Sequence, residues 1–337
     1  MNRKILIPMF ALLIGFTACQ KDLSSDGFVL YTGNSVNDTV WTSTTPISAS
    51  VNNLIDSTGT DRFVGEFNPT ISDTLRSADG LEVSIPANTV VSMSGSPITD
   101  KVKLEINRLQ TKGDIIRSLQ FTTTDSRRIL EVAGTFFIKA SSGNQEVRIK
   151  QNGAFKIRFT DTADLKTNLS VFTAIESNPP PAWGIDSLFS WNRNPDTTTV
   201  KTWGSTSGAQ GYSNKGYEFL AKNFRWISIG RYIDSSAART KLSIILPPNY
   251  TNKNTIAFAV LRDKKSIIIL RPDFLSRTFA SADVPVNTAM TIVSISKIGD
   301  SFYLGNRAIT DASSSVAFSI TPDKKTAKQL IDFLNTL

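Results

Sequence analysis

The side chains that usually carry chemistry are scarce in this chain, and their scarcity narrows what it can do. There is no histidine and a single cysteine, Cys19, among 337 residues. That removes the Ser-His-Asp and Cys-His arrangements, the histidine general base and most zinc sites. Carboxylate pairs remain, since two carboxylates about 5–9.5 Å apart suffice to hydrolyse a glycosidic bond, but nothing in the linear order favours any pair. Asn192, Asn194 and Asp196 alternate as in a calcium loop, yet they lack its glycine and its bidentate glutamate. Gly204 to Gly211 is glycine-rich, matches neither phosphate-binding fingerprint and is expected to be a loop with no strand before it. No catalytic residue, no metal site and no cofactor is expected.

What the sequence offers instead is aromatic surface. Trp183, Trp191, Trp203, Tyr212, Tyr217 and Trp226 occupy a tract rich in Gly, Ser, Thr and Asn, which holds four of the five tryptophans. Flat aromatic faces stack on sugar rings, and Trp and Tyr concentrate at binding hot spots. These six residues form the candidate ligand-binding set. Turned inward, the same side chains would plug an interface between two β domains, because each buries so much area. The chain carries a net charge of +8, and the excess is uneven. Residues 1–165 hold 17 basic and 17 acidic side chains, whereas 166–337 hold 20 against 12. Such a surplus suits acidic glycans, anionic lipid headgroups or nucleic acid. The basic residues are scattered rather than packed into a run, which reads as solubility, and no nucleic-acid partner is expected.

The elements that would position these residues begin with an export signal. Arg3 and Lys4 precede an apolar run from Ile5 to Phe16 and then Thr17-Ala18-Cys19. A basic start, a short apolar run and small residues before a cut site read as a secretory signal peptide over 1–18. The run is too short to span a bilayer as a helix. Together these residues resemble a bacterial lipobox, with Phe16 where the family prefers Leu. The resemblance implies that Cys19 becomes the acylated first residue of the mature protein. Gln20-Lys21-Asp22 is similar to the export signal of surface lipoproteins in Bacteroidota, which implies a lipid anchor in the outer membrane facing outward. Each buried methylene adds about 0.8 kcal/mol, so several acyl chains hold firmly.

Residues 19–62 read as a flexible tether, with Phe28-Val29-Leu30-Tyr31 an apolar island in it. A first folded unit is expected over 63–162. Leu81, Val83 and Ile85 alternate before Pro86, and Lys101–Ile106, Thr135–Ile138, Val147–Lys150 and Phe155–Phe159 read as further strands. Asn152-Gly153 between the last two signals a hairpin. Short strands at this spacing predict an antiparallel β-sandwich. Asp79–Thr89, Val102–Ile106 and Glu131–Ala140 resemble the ZU5-like module of Bacteroidota lipoproteins, which implies a scaffolding or interaction sandwich with no catalytic residues.

After Asn178-Pro179-Pro180-Pro181, a stiff linker by composition, a second β-rich domain is expected within 163–337. Phe224–Ile229, Lys241–Leu246, Thr255–Val260 and Ala289–Ile295 read as its strands. Ser266–Leu270 reads as a strand buried on both faces, and Ser301–Leu304 follows across Gly299-Asp300. A closing helix over 322–336 has Thr321 as N-cap, Pro322 at its first position and a stripe of Ala327, Leu330, Ile331 and Leu334 expected to pack on the second sheet.

The function expected from these features is non-enzymatic binding or scaffolding at the outer membrane, with a glycan or an envelope protein as ligand. A histidine-free carbohydrate-active hydrolase and a structural subunit of an outer-membrane complex are the alternatives. The anchor is directly testable. Cys19→Ser should abolish acyl labelling and move the protein from the membrane to the soluble fraction; a wild type without label and unchanged fractionation of the variant would remove the lipoprotein reading.

Overall fold

The computed structural model describes residues 38–43, 45, 50–53, 60, 62–177, 189–194, 200–206, 213–233, 238–312 and 315–337. In chain order its strands begin with β1 (Arg62–Phe67), β2 (Asp73–Arg76), β3 (Leu81–Ile85), β4 (Val90–Ser92), β5 (Val102–Leu109), β6 (Leu130–Ser142) and β7 (Gln145–Ile149). Next come β8 (Phe155–Thr160), β9 (Ser170–Ile175), β10 (Ser190–Arg193), β11 (Lys201–Thr206), β12 (Ser213–Ala221) and β13 (Arg225–Tyr232). The remainder are β14 (Arg239–Ile245), β15 (Thr255–Leu261), β16 (Ile267–Asp273), β17 (Thr278–Pro285), β18 (Met290–Ile298), β19 (Ser301–Ile309), β20 (Val316–Ser319) and β21 (Asp323–Lys325). Helix α1 (Lys112–Arg117) lies between β5 and β6, and α2 (Ala327–Leu334) follows β21. The protein is mainly β.

Three sheets result among the described residues. The first runs β1-β5-β6-β13-β9-β10, with β7 on β6 and β4 on β7; the second runs β11-β12-β8-β3-β2; the third runs β20-β14-β17-β16-β15-β18-β19-β21. The first two face each other as a sandwich. Leu81, Val83, Ile85, Ile157, Phe159 and Phe219 from the second sheet meet Leu104, Ile106, Phe136, Ile138, Ile227 and Ile229 from the first in one buried cluster. The alternation read in Leu81–Ile85 is what places three of them.

The pairing corrects the division expected at 162/163. Strands β9, β10 and β13 join the first sheet, and β11 and β12 join the second, so the sandwich recruits chain as far as Tyr232. The second unit's own sheet starts only at β14. Asn152-Gly153 does not close a hairpin: β7 pairs with β4 and β6, whereas β8 pairs with β3 and β12. The left-handed Asn152 (φ 64°) instead turns the chain across from one sheet to the other. Residues 201–206 form β11, so the glycine-rich tract does begin in a strand.

A β-bulge sets how the units meet. Ile229 opposes Gly134 but Gly230 opposes Val132, leaving Ala133 as one extra residue in β6. One extra residue inverts which face a strand presents. Phe136, Ile138 and Ala140 therefore point into the sandwich. Leu130 and Val132 point out of its back, into a second cluster with Ile256, Phe258, Ile267, Ile269 and Val293 of the third sheet. That contact explains why β15 is buried at every position: Ile256, Phe258 and Val260 face the sandwich, while Ala257, Ala259 and Leu261 face the third sheet's own core. Ser266–Leu270 is buried on both faces for the same reason.

Lys265 clamps the bulge from the third sheet. Its carbonyl accepts from Val132 N at 3.1 Å, and its ammonium donates to the Ala133 carbonyl at 3.0 Å. Burial holds this ammonium below its ordinary pKa of 10.5, with Asp161 pulling the other way.

Two further expectations are revised. The C-terminal helix starts at Ala327, not 322, because Thr326 and Gln329 complete a capping box, while Asp323–Lys325 pairs with β19. Leu330 and Leu334 are buried on it as the stripe requires, and it packs against α1 as well as the third sheet. Gly113 of α1 permits that approach, since a Cβ there would lie 2.5 Å from the Leu334 carbonyl. Part of the expected tether is docked. Trp41 enters the third sheet's core 5.1 Å from the Phe279 ring, and Thr42 exchanges hydrogen bonds with the Asn252 amide at 3.1 and 2.7 Å. Cys19, Phe28–Tyr31 and Pro179–Pro181 lie outside the described residues.

The clamp predicts a pH signature. Between its depressed folded pKa and 10.5, Lys265 binds more protons unfolded than folded, so its contribution to stability rises with pH through that window. Lys265→Met should lose about 1–3 kcal/mol near neutrality through the orphaned bulge. The wild type's advantage should grow as pH climbs toward 10.5, read by urea unfolding at a series of pH values. A constant gap would show that the ammonium is not desolvated.

Candidate functional site

A concavity bearing charge opens where β1, the β2–β3 turn, β5 and α1 converge. It encloses about 610 Å³ and draws Arg62, Arg76, Arg108 and Arg117 together with Asp79 and Asp114, over an apolar floor of Phe63, Leu81 and Ile106.

Local structure accounts for each charged group. The β2–β3 turn is closed by Ser77 N donating to Leu81 O at 2.9 Å, and Gly80 takes φ 80° with no room for a Cβ beside Thr160. This turn holds Asp79 over the end of β5. Arg108 there donates from Nη1 to the Asp79 carboxylate and carbonyl, both at 3.2 Å, and from Nη2 to the Thr160 carbonyl at 2.5 Å. Its guanidinium lies 5.2 Å from the Phe159 ring centre. Burial lowers the Arg108 pKa from its ordinary value, against the raising influence of Asp79.

Gln110 ties the two acids together. Its side-chain amide donates to Asp79 Oδ2 at 2.9 Å, and its backbone N–H donates to Asp114 Oδ2 at 2.9 Å. Asp114 also accepts from Thr111 N at 2.8 Å and from Arg117 Nη2 at 2.5 Å, completing the capping box of α1. Both cleft carboxylates are thus engaged by arginine and by the turn or helix they hold. The rim is looser: Arg76, with 67% of its side chain exposed, meets Glu82 at 3.0 Å, and Arg62 meets Glu105 at 3.7 Å. Lys103 first, then Arg62, helps hold the Glu105 carboxyl below its ordinary pKa. Arginine's planar fork binds carboxylate, sulfate or phosphate oxygens in pairs. Among the described residues no group of three His, Cys, Asp or Glu side chains could hold a metal ion.

The aromatic candidates do not gather. Trp191 is 1% exposed, and its indole N–H donates to Phe121 O at 2.7 Å in the core behind the sandwich. Trp226 is half-buried on the same side, 4.9 Å from the Phe137 ring and 6.1 Å from Phe189. Tyr217 is fully buried inside the sandwich, its hydroxyl accepting from Lys166 N at 2.5 Å, and burial raises its pKa. Trp203 sits on the outer face of the second sheet, half-buried, with the Arg158 guanidinium 3.8 Å from its ring centre. Trp191 and Tyr217 are therefore core residues and not a stacking surface. The area they bury decides the matter. Trp183, Tyr212 and Asp196 lie outside the described residues.

Sequence reading missed the cleft. Its arginines come from four separate elements between 62 and 117, and only the Asp79-Gly80 turn and the Thr111/Asp114 capping pair leave a local signature. No protein-family model matches the chain, and no curated protein matches it.

The two classes of tryptophan separate by stability. Trp191→Ala should cost about 3–5 kcal/mol in chemical denaturation, as emptied core sites do. Trp203→Ala should cost roughly 1 kcal/mol, the scale of a partly exposed cation–π contact. Equal losses at both positions would contradict this placement.

Proposed function

We propose that the protein is a non-enzymatic, lipid-anchored protein of the outer cell surface that binds acidic glycans in the arginine-lined cleft. The observation that carries the ligand is the convergence of four guanidinium groups, two of them at the rim, on one concave site with an apolar floor. Carboxylated or sulfated sugars offer paired oxygens to Arg62 and Arg76 at the rim and an apolar ring face to the half-buried Phe63. The anchor is supported by the signal and Cys19 at the N-terminus. A scaffolding module of the ZU5-like kind is supported by the two-sheet sandwich. Asp79 and Asp114 serve as structural ties to Arg108 and Arg117, which favours binding over hydrolysis.

Titration against matched sulfated, carboxylated and neutral oligosaccharides tests this. The acidic ligands should bind and weaken with added salt. The rim variant Arg62→Gln/Arg76→Gln should lose roughly tenfold in affinity or more, as loss of charge-assisted hydrogen bonds implies. Equal binding of neutral sugars, or an unchanged rim variant, would overturn the assignment. Release of shortened sugars would replace it with the hydrolase.

A further inference from the structure

The third sheet has two ends, and the strand registers decide what lies at each. At one end, the β15–β16 turn at 262–265 faces the sandwich. Lys112 of α1 donates to the Leu261 and Arg262 carbonyls there, each at 2.7 Å, next to the Lys265 clamp. At the other end, Ile244 pairs with Phe279, Asp273 pairs with Thr278, and Ile245 pairs with Ser319. The β16–β17 tip at 274–277, the β14–β15 loop at 246–254 and the end of β20 therefore share that far end.

Large apolar side chains are left in water there. Leu275 is 89% exposed and Phe274 44% at the tip, with Ile245 at 45% beside it. Val40 is 59% exposed and adjoins Trp41, which packs on Phe279 at the root of the tip. The tip is held in shape rather than loose. Asp273 Oδ1 accepts from Leu275 N at 3.1 Å and from Ser276 N at 3.2 Å, and the Ser276 and Thr278 hydroxyls are 2.8 Å apart. Arg277 flanks it, exposed, whereas the Arg271 guanidinium turns back toward the sandwich, 5.6 Å from the Phe121 ring centre.

The chain also enters the fold at this end. Asp38 pairs with Lys253 and Thr42 with Asn252 in the β14–β15 loop, and Ser50 donates to the Lys297 carbonyl at 2.6 Å. From Cys19 to Asp38 the chain spans at most about 65 Å, at 3.3–3.6 Å per residue. An anchor at Cys19 thus attaches to the third sheet at the far end and not to the sandwich.

We propose that this end of the third sheet rests on the lipid surface, with Phe274 and Leu275 seated among the headgroups and Arg277 against an anionic phosphate. Apolar side chains beside a basic one fit an anionic bilayer interface. The sandwich and its cleft are then held away from the membrane. This rests on the lipid-anchor part of the proposed function.

Chain 20–337 contains every described contact and lacks the acyl site, so it tests the surface without the anchor. It should co-sediment with vesicles of phosphatidylethanolamine and phosphatidylglycerol, and less with phosphatidylcholine alone or at high salt. Phe274→Ser/Leu275→Ser, folded by circular dichroism, should bind roughly tenfold more weakly or worse. An environment-sensitive dye on Leu275→Cys should shift blue on vesicle addition, while the same dye on Lys264→Cys at the opposite turn should not. No vesicle binding, an unaffected tip variant, or a blue shift at 264 alone would overturn the proposal. So would self-association that the tip variant abolishes in the absence of vesicle binding, which would assign the face to a second copy. Absence of acyl label on the wild type would strike the anchor alone and leave the vesicle result standing.

Discussion

The whole assembly turns on one extra residue in β6. Without Ala133 opposite the Ile229–Gly230 step, Leu130 and Val132 would share the inward face of Phe136 and Ile138. The back of the sandwich would then offer the third sheet no apolar surface at that point. Two polar devices hold the bulge in register. Lys265 reaches it through backbone and side chain. Next to it Glu131, itself buried, lies opposite Arg231 in the ladder and accepts from its Nε at 2.9 Å. A buried carboxylate is costly without its partner, so a register slip that separated the two would be strongly disfavoured.

The candidate cleft depends on the same junction. Helix α1 supplies Asp114 and Arg117 to the cleft wall, yet its Ile115 and Ile116 belong to the core shared with the third sheet. Lys112 at its first turn is fastened to the third sheet's carbonyls, and α2 packs beside Gly113. The helix has only six residues, too few to hold itself in water. Its position is therefore set by its neighbours, and the spacing between its charges and those of the β2–β3 turn is set with it.

Local structure was legible in the sequence where one strand's burial follows from its own alternation. Leu81–Ile85, Phe155–Phe159 and the doubly buried Ser266–Leu270 all read correctly, as did the two strands divided by Gly299-Asp300, which the structure pairs with each other. Partner choice was not legible. Asn152-Gly153 has the chemistry of a hairpin turn, but β7 and β8 join different sheets. Trp191 and Tyr217 read equally well as surface or core, because an aromatic ring serves either, and only packing distinguishes them. The helix start moved from Thr321 to Thr326 because a proline at a first helical position is weaker than a complete capping box five residues on. The cleft arginines left no trace, since strand pairing rather than sequence distance brings them together.

Two surfaces of the sandwich carry many charges, and their arrangement separates a solvated face from a site. Across the outer face of the second sheet, Lys201, Glu218, Arg158, Glu82 and Arg76 stand opposite one another in successive strands. Arg158 in the middle of that row is flanked by Glu218 and Glu82, so its field is cancelled within a few ångströms, and on a flat face water screens what remains. The cleft at the row's far edge differs in its shape. There Asp79 and Asp114 are committed to Arg108, Arg117, Gln110 and the cap of α1, while Arg62 and Arg76 pair with Glu105 and Glu82 at the rim and still face the concavity. Concave, partly apolar walls focus the field of the converging guanidinium groups instead of dispersing it. Arg76 belongs to both surfaces, closing the neutral row through Glu82 while its exposed guanidinium reaches the cleft rim. Its second edge of donors makes that possible, which a lysine's single ammonium would not.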